Sequence, residues 1–115
     1  MGEAQPYTIE MYVTRTGSVP FEEWLLRLCD ARARARIYAR LARVRPGNLG
    51  GGVWELWIDY GPGYRAYYAQ SGPATPLLLC GGDKTTQTAD IRQAQTYWTE
   101  YQERKQHEPP DEKLP

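Results

Sequence analysis

Apolar and polar positions alternate from Tyr7 to Thr14 (YTIEMYVT), a stretch rich in β-branched and aromatic residues, which predicts a first strand. Thr16-Gly17-Ser18 breaks that pattern. Ser18 is placed to cap a helix starting near Pro20, a residue favoured in the first helical turn, with Glu22 and Glu23 suited to the positive helix end. Phe21, Trp24, Leu25 and Leu28 give this helix its apolar side. Asp30 is a good cap for a second helix running to about Arg45, where Pro46-Gly47 stops it. Ala33, Ile37, Leu41 and Val44 recur at helical spacing as a buried stripe, and Arg32, Arg36, Arg40 and Arg43 form a separate stripe.

After the connector Asn48-Leu49-Gly50-Gly51-Gly52 the period returns to two. Val53 to Ile58 predicts a second strand, with Trp54, Leu56 and Ile58 on one face and Glu55 and Trp57 on the other. Gly61-Pro62-Gly63 forms a hinge, because proline fixes φ and glycine adopts conformations that other residues resist. A third strand from Tyr64 to about Ala69 puts Arg65 and Tyr67 on one face and Tyr64, Ala66 and Tyr68 on the other. Ser71-Gly72-Pro73 turns the chain into Pro76 to Cys80, an unbroken apolar run expected at the centre of the sheet. Gly81 to Gln87 then leaves the sheet for a last helix, about Thr86 to Lys105, with Ile91, Ala94, Trp98 and Tyr101 as its stripe. The order β-α-α-β-β-β-α predicts an α+β fold, a small antiparallel-leaning sheet with helices packed on one face.

A chain of 115 residues suffices for one core, so a single domain is expected over residues 1–105, with the proline-rich, charged segment 106–115 as a disordered tail. Fourteen basic and fourteen acidic residues cancel, which argues against coating bare DNA by bulk charge. The distribution is uneven, however: Arg27 to Arg45 holds seven arginines against one acid, Asp30, which suits a local polyanion surface. A solvated helix face is the plain alternative. Cys29 and Cys80 read as free, packed thiols in a reducing cytoplasm, with a disulfide as the lesser alternative. The polar start predicts no secretory leader, and no run is apolar enough to predict a membrane span. His107 is the one histidine, so neither a His/Cys metal site nor histidine acid–base chemistry is expected, and no cofactor is implied.

The open sheet face would carry Glu55, Trp57, Arg65 and Tyr67, with Lys84 at a strand exit on its edge. Aromatics that stack on bases and cations that hold phosphates suit single-stranded nucleic acid. Ordinary sheet packing for Trp57 and Tyr67, and a turn cap for Asp83, are the alternatives.

The series Glu55 to Tyr68 (ELWIDYGPGYRAYY) followed by Leu77 to Gln87 (LLLCGGDKTTQ), behind an arginine-rich helix pair, resembles the RelE/ParE superfamily of bacterial toxins. More narrowly it is similar to the HigB-like, phage-derived addiction module killer branch, over about Tyr7 to Tyr101. That resemblance implies a microbial-ribonuclease-like fold and a toxin held by a neighbouring helix-turn-helix antitoxin, with operator DNA reached only through that complex. It also implies cleavage of mRNA, usually on the ribosome, by attack of a ribose 2′-OH on its own 3′-phosphate. Arg65 matches the arginine that neutralises the scissile phosphate, and Lys84 a position where a basic residue contacts phosphate or assists proton transfer. Trp57 stands where the branch often has a basic residue and could stack on a base. Arg32, Arg36, Arg40 and Arg43 would meet rRNA phosphates. Two further readings remain within the resemblance: a non-enzymatic DNA gyrase inhibitor in the ParE manner, and a domesticated regulatory subunit that binds only its antitoxin and operator.

Overall fold

A computed structural model describes residues 9–28, 30–43, 52–72 and 75–107. Cys29, the expected helix stop at Val44 to Gly47, the connector before Gly52, Pro73 and the acidic tail lie outside the described residues, as do Tyr7 and Thr8 of the expected first strand.

The elements follow the expected order: β1 (Glu10–Met11), α1 (Pro20–Arg27), α2 (Ala31–Leu41), β2 (Trp54–Ile58), β3 (Tyr64–Gly72), β4 (Thr75–Asp83), a 3-10 turn (Lys84–Thr86) and α3 (Gln87–His107). The sheet runs β1-β4-β3-β2, with β4 parallel to β1 and antiparallel to β3, and β3 antiparallel to β2. The apolar run of β4 is therefore interior, as its lack of alternation requires.

Several boundaries differ from expectation: β1 is only Glu10–Met11 rather than a strand to Thr14, and α2 ends at Leu41 with Ala42 as its C-cap, short of Arg45. Three further differences have local reasons. Ser18 does not cap α1: Val19 holds that position, while the Ser18 hydroxyl lies 2.8 Å from the Thr14 hydroxyl, closing the preceding loop. Pro20 begins the helix without an N–H, so there is one donor fewer to satisfy. β3 continues past Ala69 to Gly72, and β4 continues through Gly81 and Gly82 to Asp83. Gly81 faces α1, and a Cβ on it would run into the Trp24 indole. The glycine is a seat for that ring rather than a strand exit.

The helices do not share one face, which corrects the expected layering. Ala66, Tyr68 and Leu78 join Phe21, Trp24 and Leu25 of α1 and Ile37 and Leu41 of α2 in one cluster. Tyr67, Ala69, Leu77 and Leu79 join Tyr12, Cys80 and Ala94 in a second, with Ile91, Tyr97, Trp98 and Tyr101 of α3 packed on it. Helices thus cover both faces of β3 and β4. The cause is visible in Tyr67-Tyr68-Ala69 and Leu77-Leu78-Leu79, where neighbours of opposite direction are all buried. A bulge at Tyr67/Tyr68 against Leu78 and Cys80 adjusts the register there. Among the described residues, no helix is long and apolar enough to cross a membrane.

Candidate nucleic-acid interface

β2 is an edge strand paired in register with β3, so Glu55 lies opposite Tyr67 and Trp57 opposite Arg65. The connection between the strands is closed by a hydrogen bond from the Gly63 amide to the Tyr60 carbonyl at 3.0 Å. Gly61 and Gly63 take φ values of 58° and 87°, left-handed conformations that a side chain would strain. This turn fixes where β3 starts, and therefore where Arg65 emerges.

Arg65 is only 8% exposed. Its Nε lies 3.3 Å from Glu55 Oε2, an ion pair that falls short of hydrogen-bond geometry, and its guanidinium sits 4.6 Å from the centre of the Trp57 ring. A cation over an indole contributes roughly 0.5–2 kcal/mol, so Trp57 is a second partner comparable to a partly screened ion pair. Glu55 is crowded with donors: Trp57 Nε1 donates to Oε1 at 3.0 Å, while Tyr67 Oη at 3.1 Å and Gln87 Nε2 at 2.9 Å donate to Oε2. Burial first, and the Glu55 charge next, push the Tyr67 phenol well above its ordinary value, so it remains a donor.

Tyr67 is the one expected RNA-contacting residue that the fold withdraws. It is 1% exposed beneath α3, so its ring offers no face to a base, because α3 covers the sheet face that was expected to be open. Trp57, at the edge, keeps 59% of its surface in solvent.

Arg65, Lys84 and Trp57 line one pocket of about 150 Å³ together with Ile58, Asp59, Pro62, Gly63 and Tyr64. Lys84 reaches it because Asp83 ends β4 in a tight cap, accepting from the Thr85 amide at 2.9 Å and the Thr85 hydroxyl at 2.6 Å. The Thr85 hydroxyl, helped by the Thr85 and Thr86 amides and the Arg65 charge, holds the Asp83 carboxyl below its ordinary value. Asp83 is thus a cap, the plainer of the two readings.

A second hollow, about 410 Å³, adjoins the first and shares Trp57, Ile58 and Asp59 with it. Arg36, Arg40 and Arg43 form its other wall. Arg36 also lies 5.1 Å from the Tyr60 ring centre, tying α2 to the hinge. Arg32 is exposed at the other end of α2 and does not line this hollow. Sequence reasoning named Arg65, Lys84, Trp57, Arg36, Arg40 and Arg43, and the structure sets the first three at one hollow and the last three across Trp57 at the next. Sequence reasoning missed the part played by Glu55 and Gln87; the alternation of β2 was the signal for Glu55, whereas nothing in the spacing pointed Gln87 toward it. Among the described residues, no group of three or more His, Cys, Asp or Glu side chains could hold a metal ion.

The fold and this edge define a small α+β protein with a mixed four-stranded sheet and a cationic cleft around an exposed tryptophan. A protein of Haemophilus influenzae, described only as an uncharacterized protein, is 44% identical over 93 residues, covering 76% of this chain and 90% of that protein. The chain belongs to the same family as that protein. No protein-family model matches the chain. No solved structure matches it.

Proposed function

We propose that this chain is the toxin of a type II toxin–antitoxin pair, a cytoplasmic RNA-cleaving protein of the HigB-like branch of the RelE/ParE superfamily. The observation that carries the reading is the shared pocket: Arg65 and Lys84, 19 positions apart in sequence, line one small cavity with Trp57 between it and the arginine wall of α2. Such a cleft suits a single-stranded polyanion whose backbone follows the cations while one base stacks on the outer face of Trp57. The two hollows then divide the work. Arg36, Arg40 and Arg43 supply attraction to RNA phosphates, of the message or of the ribosome, and the hinge pocket takes the phosphate to be cut.

In the proposed reaction the ribose 2′-oxygen loses its proton and attacks the adjacent phosphorus. The bond to the 5′-oxygen of the next nucleotide breaks, and that oxygen gains a proton. The products are a 2′,3′-cyclic phosphate and a 5′-OH, with no net consumption of water. Arg65 and Lys84 stabilise the charge that builds on the phosphate oxygens, which needs fixed cations more than a titrating base. A helix-turn-helix antitoxin is the proposed regulator, and operator DNA is engaged only through it.

The test adds purified protein to a cell-free translation reaction and maps mRNA 5′ ends, beside Arg65→Ala and Lys84→Ala. Cleavage within codons is expected, falling roughly a hundred- to a thousand-fold without Arg65. Intact mRNA with blocked gyrase supercoiling would replace this reading with a ParE-like inhibitor, and inactivity in both assays with a regulatory subunit.

A further inference from the structure

We infer that Glu55 is the positioning residue of the hinge pocket: its carboxylate holds Trp57 and Arg65 as two fixed walls and keeps the guanidinium turned to receive a phosphate. The inference rests on the reading of that pocket as a phosphate site, and it assigns Glu55 a role distinct from binding.

Three observations carry it. First, Glu55 touches both walls at once, through Trp57 Nε1 at 3.0 Å and Arg65 Nε at 3.3 Å. Trp57 and Arg65 are also in contact with each other, so the three side chains form a closed triangle. Second, the carboxylate is anchored from behind by two donors on other elements, Tyr67 on β3 and Gln87 at the start of α3. An anchor on three elements fixes a rotamer far better than a pairwise ion pair on an edge strand. Third, the guanidinium is used on one side only. Its Nε faces Glu55, and among the described residues neither Nη has a hydrogen-bond acceptor, although Arg65 lines the pocket. An arginine held by its stem with a free pair of Nη donors presents the geometry that a phosphate takes bidentately.

The same crowding separates Glu55 from the chemistry. Both oxygens already accept hydrogen bonds, one of them two, so Glu55 is poorly placed to take a proton from a ribose hydroxyl. Its charge also opposes that of Arg65. Removing that charge should therefore harm positioning without weakening binding, a separation that a merely structural residue would not produce.

Glu55→Gln keeps the volume, deletes the charge and replaces one acceptor oxygen with an amide nitrogen that cannot accept. Two readouts are taken on the full chain. Binding of a short oligouridylate with 2′-deoxy sugars, which lacks the attacking hydroxyl, should be unchanged or tighter. Cleavage of the ribose oligonucleotide at saturation should fall roughly 10- to 100-fold, because a displaced guanidinium misaligns the reacting phosphate. Independently of any activity, the Arg65 Nε–H signal in a nitrogen–proton NMR spectrum should shift and broaden in Glu55→Gln. Weaker binding in step with slower cleavage, or an unmoved Arg65 signal, overturns the inference. If the wild-type protein neither binds nor cuts RNA, the proposed function fails, and the Arg65 signal alone decides whether Glu55 holds that side chain. Should Glu55→Gln not fold, Gln87→Ala removes one anchoring donor; it should move the Arg65 signal in the same direction by less, and no movement counts against the role.

Discussion

Gly81 shows how a single absent side chain can set the distance between two layers. It sits on β4 directly beneath the Trp24 indole, where any Cβ would overlap the ring, and Trp24 is itself packed against Phe21 and Tyr64. Replacing Gly81 by alanine should destabilise the fold. Overpacking a core costs about 1–3 kcal/mol, whereas the unfolded-state gain from losing a glycine is only about 0.4–1 kcal/mol. The clash wins. Gly82→Ala meets instead the carboxylate end of Asp90 and the Thr86 hydroxyl, side-chain tips that can swing aside, so it should cost less. Urea denaturation of the two variants checks the order; equal midpoints would mean that Trp24 is not seated on Gly81. The glycine pair illustrates where sequence reading stops at this scale. Gly-Gly after an apolar run has the composition of a turn, and only a partner distant in sequence, Trp24, reveals it as a close approach within a strand. Arg65 and Lys84 were legible as cations near strand ends. Glu55 as their organiser was not, since its donors come from β2, β3 and α3.

Among the elements, α2 is the one whose stability is set by competing small effects. Its buried stripe is Ala33, Ile37 and Leu41, and no acid lies in its first turn to meet the helix dipole. Arg32, Arg36, Arg40 and Arg43 follow at spacings that place like charges side by side, each pair costing about 0.2–0.5 kcal/mol. The Asp30 side chain accepts from the Arg32 and Ala33 amides at 3.0 and 3.2 Å, a cap worth about 1 kcal/mol, which offsets much of that repulsion. Asp30→Ala should therefore lower unfolding free energy by roughly 0.5–2 kcal/mol, and added salt should recover part of the loss by screening the stripe. A thermal melt with and without salt reads both; an unchanged melt would show that packing of Ile37 and Leu41 alone holds the helix. This cap and this stripe were readable from spacing because helix periodicity and capping are local. The layering of the sheet was not. The apolar runs in β3 and β4 stated that both faces are buried, yet α3 has a weak apolar stripe of Ile91, Ala94, Trp98 and Tyr101 in which only Ala94 is fully buried. Its side of the sheet therefore looked open from the sequence, and Tyr67 with it.

At the scale of the whole molecule, burial of ionisable groups in the two packed layers gives the fold a one-sided response to pH. Cys80 lies in the α3-side cluster, its thiol donating to the Asp90 carbonyl at 3.5 Å, and burial followed by the Asp90 charge pushes it up to about 12. Tyr67 is raised by burial and then by Glu55, and Tyr12, Tyr64, Tyr68 and Tyr97 are raised chiefly by burial. In the unfolded chain a thiol ionises near 8.5 and a phenol near 10. Between those values and the raised folded ones, the unfolded state binds fewer protons than the folded state, so stability falls as pH rises. The contribution is whole below about pH 8.5 and is lost progressively above it, first through Cys80 and then through the tyrosines. On the acid side Asp83 acts in the opposite sense. Its folded value is lowered, so its stabilisation is present above about pH 3.9 and is lost as pH falls through that lowered value. Because Asp83 caps one short 3-10 turn at the surface while the thiol and phenols sit in both packed layers, the alkaline loss should be much the larger. Urea midpoints should hold level from pH 5 to about 8.5, then decline, with Cys80→Ala flattening the first part of the decline. A midpoint as high at pH 11 as at pH 7 would mean that the helices do not keep water from the two faces of β3 and β4 that they cover.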